Sequence, residues 1–341
     1  MSRVGSRLVP VLVVACVGLA GYLLVMDNGR STNAQPPGKA KPARDQFAAG
    51  EEAPAAVPAL PIDGQRALKY VTELCAIGPR ISGSDGMKKQ QDLLKTHFEK
   101  HGAKVSFQRF PARQVSRPQA VEMANMVISW HPDRTRRVLL CSHYDTRPKA
   151  DQEPDPRKWN EPFVSANDGT SGVALFMELA HHMKGLTTEV GVDFVLFDGE
   201  EYVFDGPQGG DRYFFGSDHF ADDYRNHPPA HRYTGAVLLD LFAGKNPRYP
   251  YEWNSIRAAP ALAEELWNIA AELKVTAFQK AAGPTVNDDH IALLRVGIPA
   301  VDVIDFDYQH WHKLSDLPEQ CSAASLANLA RVRTTWLQRA R

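Results

Sequence analysis

The chain has 341 residues, 43% hydrophobic and 23% charged, with 39 Lys and Arg against 40 Asp and Glu and a formal net charge of -1. Those values exclude a chain disordered throughout and a fibrous repeat, and they allow one large domain or two ordinary ones. Balanced charge offers no overall field to the phosphate backbone of nucleic acid, so no nucleic-acid partner is expected and any ligand must be recognised at a site.

Arg3 and Arg7 precede an uncharged run from Leu8 to Met26, 19 residues, which as a helix would span roughly the 30 Å of a bilayer core. Positive charge before it and Asp27 after it predict an N-terminus inside and the remainder exported. Residues 1–26 are therefore expected to be a membrane anchor. A cleaved signal segment, giving a secreted protein, is the alternative, although the run is longer than a usual signal core. Residues 27–60 carry five Pro and only Phe47, Val57 and Leu60 as larger apolar groups, the composition of a disordered spacer. Residues 61–341 remain as one catalytic-sized domain. Of four cysteines, Cys75, Cys141 and Cys321 fall in it; export permits disulfides, but three thiols leave at least one unpaired, and no pairing is assigned.

Within the domain, Gln65 to Cys75 and Gly86 to His101 have helical spacing, the second closed by Gly102. Lys104 to Phe110 and Met123 to Trp130 read as strands. Val138 to Cys141, Val192 to Phe197, Ala236 to Leu241 and Ala300 to Ile304 are short apolar runs suited to buried strands, with helices at Gly172 to Met183 and Pro260 to Leu273. The alternation predicts an α/β three-layer sandwich with a mixed, mostly parallel central sheet flanked by helices. In such sheets ligands sit beyond the carboxyl ends of the strands.

Polar clusters follow each apolar run. His143-Tyr144-Asp145 follows the first, Asp198-Gly199-Glu200-Glu201 the second, Asp240 ends the third, and Asp305 to His310-Trp311-His312 follows the fourth. The loop Ser165 to Gly172 adds Asp168 just before a helix, where a plain helix cap is the competing reading. Clustered carboxylates repel unless a cation offsets them. A His/Asp/Glu set without Cys suits Zn2+ or a related divalent ion with one position left open for catalysis. Adjacent glutamates can divide labour, Glu201 as ligand and Glu200 as acid/base.

These residues resemble the zinc aminopeptidase and glutaminyl cyclase superfamily, through His143-Tyr144-Asp145, Asn167 to Gly172, Phe197 to Glu201, Asp240, Asp288-Asp289-His290 and Trp311-His312. The resemblance implies an α/β sandwich, Asp168, Glu201 and His312 as ligands of one zinc, and Glu200 as the catalytic carboxylate. It also implies that His143 and Asp240, with a bridging Asp168, could hold a second zinc in an aminopeptidase. Leu238 to Pro247, Asp288 and Trp311 resemble the cyclase branch. The chain departs from that branch in having no Trp in Tyr202 to Gly206, and Asp302 where animal cyclases have His. The resemblance thus implies a one-zinc glutaminyl-peptide cyclotransferase, with Asp240 and Asp288 in a proton network and Trp311 as a substrate wall. Its partners would be peptides or proteins with a free N-terminus, Gln foremost. A two-zinc aminopeptidase is the alternative, and a nonenzymatic surface-anchored binding domain the third.

Overall fold

The computed structural model describes residues 59–205 and 209–341. The expected anchor and nearly all of the expected spacer lie outside them. Among the described residues no helix is long and apolar enough to cross a membrane.

Helix α1 (Gly64–Cys75) starts where the Asp63 side chain accepts from the Arg66 N–H, and it buries Ala67, Val71, Leu74 and Cys75, one stripe at helical spacing. Ser84 caps α2 (Asp85–Lys100) in the same way, and Met87, Gln90, Leu94 and Phe98 face inward. Two strands follow, β1 (Lys104–Ala112) and β2 (Val121–Trp130). The centre of the sheet is β3 (Arg136–His143), β4 (Gly191–Phe197) and β5 (Arg232–Asp240), with α3 (Thr170–Met183) joining β3 to β4 and α4 (Phe215–Asn226) joining β4 to β5. The remainder comprises β6 (Tyr249–Tyr251), α5 (Trp253–Ala258), α6 (Pro260–Glu272), β7 (Phe278–Ala282), α7 (His290–Arg295), β8 (Ala300–Ile304) and α8 (Ala323–Arg339).

The main sheet has the order β1-β2-β4-β3-β5-β8. β2 pairs antiparallel with β1 and β4, and the β4-β3-β5-β8 block is parallel. Five of the six strands therefore share one direction. From β3 the chain moves to one side, then crosses back over it to β5, which opens a crevice at the carboxyl ends. Alternation along the central strands explains their unbroken apolar runs. Val138 and Leu140 pack into the core under α3, α6 and α8, whereas Leu139 and Cys141 pack against Phe220 of α4 and Leu293 of α7. Both faces are covered, giving three layers. Asp193 is the polar exception in β4, held by Arg137 (Nη2 to Oδ1, 2.6 Å) and by the Tyr233 hydroxyl at 2.8 Å.

Cys75, Cys141 and Cys321 are all buried free thiols. Helix α8 was not legible as a helix, because Arg333 stands in its buried stripe among Leu326, Leu329, Ala330, Trp336 and Leu337. The small parallel pair β6 and β7, of three and five residues, is too short to carry a periodic signal.

Candidate active site

The carboxyl ends of the parallel strands bring the predicted residues to one place. His143 is the last residue of β3 and Asp240 the last of β5, while Glu200 and Glu201 follow β4. Loops supply Asp168 ahead of α3, Asp288 ahead of α7, and Trp311 with His312 after β8. A cavity of about 350 Å³ is lined by Asp168, Glu200, Glu201, Asp240, Asp288 and His312, with Trp311 on its wall. His143 lies just behind, its Nε2 3.1 Å from Asp168 Oδ1 and 3.4 Å from Asp240 Oδ1.

Asp168 is not a helix cap. Gly169 occupies the cap position of α3 with φ 73°, and no side chain accepts there. A Cβ on Gly169 would stand 2.6 Å from the His143 ring, so glycine allows both the left-handed backbone and the close imidazole. The neighbouring Gly172 lets α3 approach β3, since a Cβ there would meet Ser142 Oγ at 2.1 Å. Asp168 is thereby held pointing at the cavity. Its backbone N–H donates to Asp316 Oδ2 at 3.2 Å, and Asn167 N–H donates to Asp316 Oδ1 at 3.0 Å.

One donor atom each from Asp168, Glu201 and His312 lies within 4.8 Å of the other two. His312 Nε2 is 2.5 Å from Glu201 Oε1 and 3.6 Å from Asp168 Oδ2. Asp168 Oδ2 and Glu201 Oε2 are buried without a hydrogen-bond partner among the described residues. Burial, with the charge of Glu201 beside it, pushes Asp168 up to about 8. Burial acts the same way on Glu201, but the charge and hydrogen bond of His312 outweigh it and hold Glu201 at about 2. Burial disfavours charge on His312 too, yet Glu201 and Asp151 raise it to about 9. Two buried carboxylates with orphaned oxygens, facing one imidazole, form the oxygen and nitrogen donor set that a divalent ion such as Zn2+ takes. The residues fit such an ion. A second group of donors, His143, Asp168 and Asp240, also lies within 4.8 Å, with Asp168 common to both.

Further residues hold these groups, and of them Arg147 and Asp151 were not picked out in the sequence. Asp151 Oδ1 is 3.0 Å from His312 Nδ1, and Arg147 donates to Asp151 Oδ2 at 2.6 Å while standing 3.7 Å from Glu201. Asp145 accepts from the backbone N–H groups of both Glu200 and Glu201 at 3.1 Å, which fixes the turn that carries the two glutamates to the cavity. His312 has φ 53°, a strained value for a non-glycine residue and one met at functional positions.

Beyond the donor triad lies an acidic network. Burial first, and then Glu201, pushes Glu200 well above the usual carboxylate range. Burial and the charge of Asp240 push Asp288 up to about 6. Asp302, in the middle of β8, is raised well above its ordinary value by burial and by Asp288, and neither carboxylate oxygen has a hydrogen-bond partner among the described residues. Opposite this network Trp311 packs on Leu241, Val286 and Ile304, and its ring is 5.5 Å from that of Phe306. Although Tyr202 to Phe204 contain no Trp, Tyr213 and Phe214 reach the cavity from beyond them, and the Phe214 N–H donates to the Glu200 carbonyl at 3.0 Å.

Residues 125–337 match the sequence profile of Peptidase family M28. The chain belongs to that family. Among solved structures, the glutaminyl cyclase of Fimbriiglobus ruber is 53% identical, covering 86% of this chain and 100% of that one, with a TM-score of 0.83. A Zn-dependent exopeptidase from Parabacteroides distasonis is 29% identical over 83% of this chain and 99% of that chain, with a TM-score of 0.76. The glutaminyl-peptide cyclotransferase of Bos taurus is 25% identical over 239 residues, 61% of this chain. That match spans 64% of the bovine protein, less than two thirds of its length.

Proposed function

We propose that this M28 chain is a glutaminyl-peptide cyclotransferase that converts an N-terminal Gln into pyroglutamate with release of ammonia. The observation that carries the reading is the convergence of Glu200, Asp240 and Asp288 on the cavity that also holds the Asp168-Glu201-His312 triad. The 53% identity to the Fimbriiglobus ruber glutaminyl cyclase supports it.

Asp168, Glu201 and His312 hold Zn2+ in this reading. The ion supplies Lewis-acid polarisation of the side-chain carbonyl. The substrate α-amine forms a bond to the γ-carboxamide carbon, and the bond from that carbon to the amide nitrogen breaks. Glu200 takes a proton from the amine and returns one to the departing nitrogen, which leaves as ammonia; no water is consumed. Asp240 and Asp288 form the proton network beside Glu200, in which burial and the charge of Asp240 push Asp288 up to about 6. Trp311 orients the glutamine side chain against an apolar wall.

A second reading, a two-metal aminopeptidase, is favoured by the grouping of His143, Asp168 and Asp240. Ammonia release from a Gln-initiated peptide, with metal content measured on the same sample, tests the first reading against the second. We further propose residues 61–341 as the catalytic domain, residues 27–60 as a spacer, and residues 1–26 as an anchor or signal segment. In this reading the catalytic domain works outside the cytoplasm, tethered to the membrane or secreted after cleavage.

A further inference from the structure

A second group of ligand-type side chains lies away from the active site, where α2 packs against α3. His97 and His101 are four residues apart at the end of α2 and so share a side of the helix, and His181 sits in the last turn of α3. One ring nitrogen from each of the three lies within 4.8 Å of the other two. Ring centroids are 4.7 Å apart for His97 and His101, 4.1 Å for His101 and His181, and 5.7 Å for His97 and His181. All three are half-buried, and none lines the catalytic cavity.

The rings are oriented from outside, as imidazole ligands commonly are. His97 Nε2 is 2.9 Å from the Met177 carbonyl oxygen. A carbonyl only accepts, so the proton sits on Nε2 and Nδ1 keeps a free lone pair. His181 Nε2 is 2.8 Å from the Tyr70 hydroxyl, which leaves its other nitrogen unused. The His101 ring makes no hydrogen bond among the described residues. Arg66 stands near, but buried Glu178 offsets its charge through contacts of 2.6 and 2.8 Å. Filling a junction between two helices does not call for three imidazoles, because apolar rings do it without leaving ring nitrogens unpaired.

We propose that His97, His101 and His181 bind a divalent transition-metal ion, Zn2+ or Ni2+ by donor type, and so clasp the end of α2 to the end of α3. Three imidazole nitrogens with water in the fourth place suit tetrahedral Zn2+, and Ni2+ takes the same nitrogens with further waters completing a larger shell. Bonds of about 2.0–2.1 Å place such nitrogens roughly 3.3 Å apart, a closure that half-exposed rings can make by rotation.

Equilibrium dialysis of the full chain against Ni2+, after its zinc has been limited to the one ion held by Asp168, Glu201 and His312, with both metals counted, tests the site. His101→Gln is the first variant because that ring holds no hydrogen bond. Wild type is expected to take up one more Ni2+ per chain than His101→Gln, whose affinity for the added ion falls at least about tenfold. Ni2+ should raise the melting temperature of wild type and not of the variant, and His101→Cys, which restores a ligand, should recover both effects. Melting of His101→Gln in EDTA at the wild-type temperature establishes that the fold is kept; if it falls, His181→Gln takes its place. Equal Ni2+ uptake and equal thermal shift in wild type and a folded variant would overturn the site.

Discussion

Asp151 and His312, 161 positions apart in the chain, are joined by a 3.0 Å contact between Oδ1 and Nδ1. Arg147 and His312 outweigh the effect of burial and hold Asp151 at about 2, so its carboxylate is an acceptor at neutral pH. The proton on His312 is thereby placed on Nδ1, and Nε2 is the nitrogen turned to Asp168 and Glu201. We predict that Asp151→Asn weakens metal retention about 10- to 100-fold, the usual effect of losing an orienting partner. Competition against a graded series of chelators measures this. Wild-type retention in the variant would mean that Asp151 does not set the ligand.

Glu200 is predicted to matter for turnover and little for the metal, because a proton shuttle must stay free of the ion. Glu200→Gln is nearly isosteric and should lower kcat about 100- to 10,000-fold while zinc stays bound. Near-normal turnover would remove Glu200 from the proton path, and loss of zinc would make it a ligand.

Glu252 couples stability to pH at a point that bears on the site. Its carboxylate caps α5, accepting from Asn254 and Ser255, and accepts from the Val286 N–H at 3.0 Å, which ties down the loop carrying Asp288. Burial opposes its charge, but the His290 imidazole 3.3 Å away and the hydrogen bonds from Val286, Asn254 and Ser255 prevail and lower it to about 2, against an ordinary 4.5. A folded value below the unfolded one stabilises the fold at pH above about 4.5, and that stability is lost as pH falls toward 2. The full contribution is on the order of 3 kcal/mol at neutral pH. Denaturant melts between pH 3 and 7 should show Glu252→Gln less stable at pH 7 and closing on wild type toward pH 3. A gap that does not narrow would assign the effect to packing instead of charge.

How much of this was legible differs by residue. The strands were readable because a strand covered on both faces is apolar at every position, as in Val138 to Cys141, and His143, Glu200, Glu201 and Asp240 were readable because they stand at the ends of such runs, whereas Asp168 and His312 came from the loops beyond. Asp151 and Asp316 carry no such mark. They act on His312 and on the Asp168 backbone across loops, and nothing in local sequence distinguishes them from solvated acids. Arg333 hid α8 by interrupting its apolar stripe. Asp302 was seen only as a departure from a family pattern, whereas in the fold it extends the buried acidic network behind Asp288.

The choice between cyclase and aminopeptidase rests on Asp288 and Trp311. In a cyclase, Asp288 beside Asp240 shares a proton that moves between amine and leaving group, and burial with the charge of Asp240 already raises Asp288 to about 6. In a two-metal hydrolase Asp240 is occupied as a ligand together with His143 and Asp168, and a neighbouring acid has no proton to share. Trp311, packed on Leu241, Val286 and Ile304, offers an apolar wall and, with an indole N–H that only donates, no acceptor for a free amine. We therefore predict that Gln-initiated peptides release ammonia and become blocked at the N-terminus, while Leu-initiated peptides are left whole. Asp288→Ala should cut ammonia release by about 100-fold or more with zinc retained, the magnitude of a lost acid/base relay. Free leucine from Leu-initiated peptides, together with two zinc ions per chain, would overturn the cyclase reading and make His143 and Asp240 the ligands of the second ion.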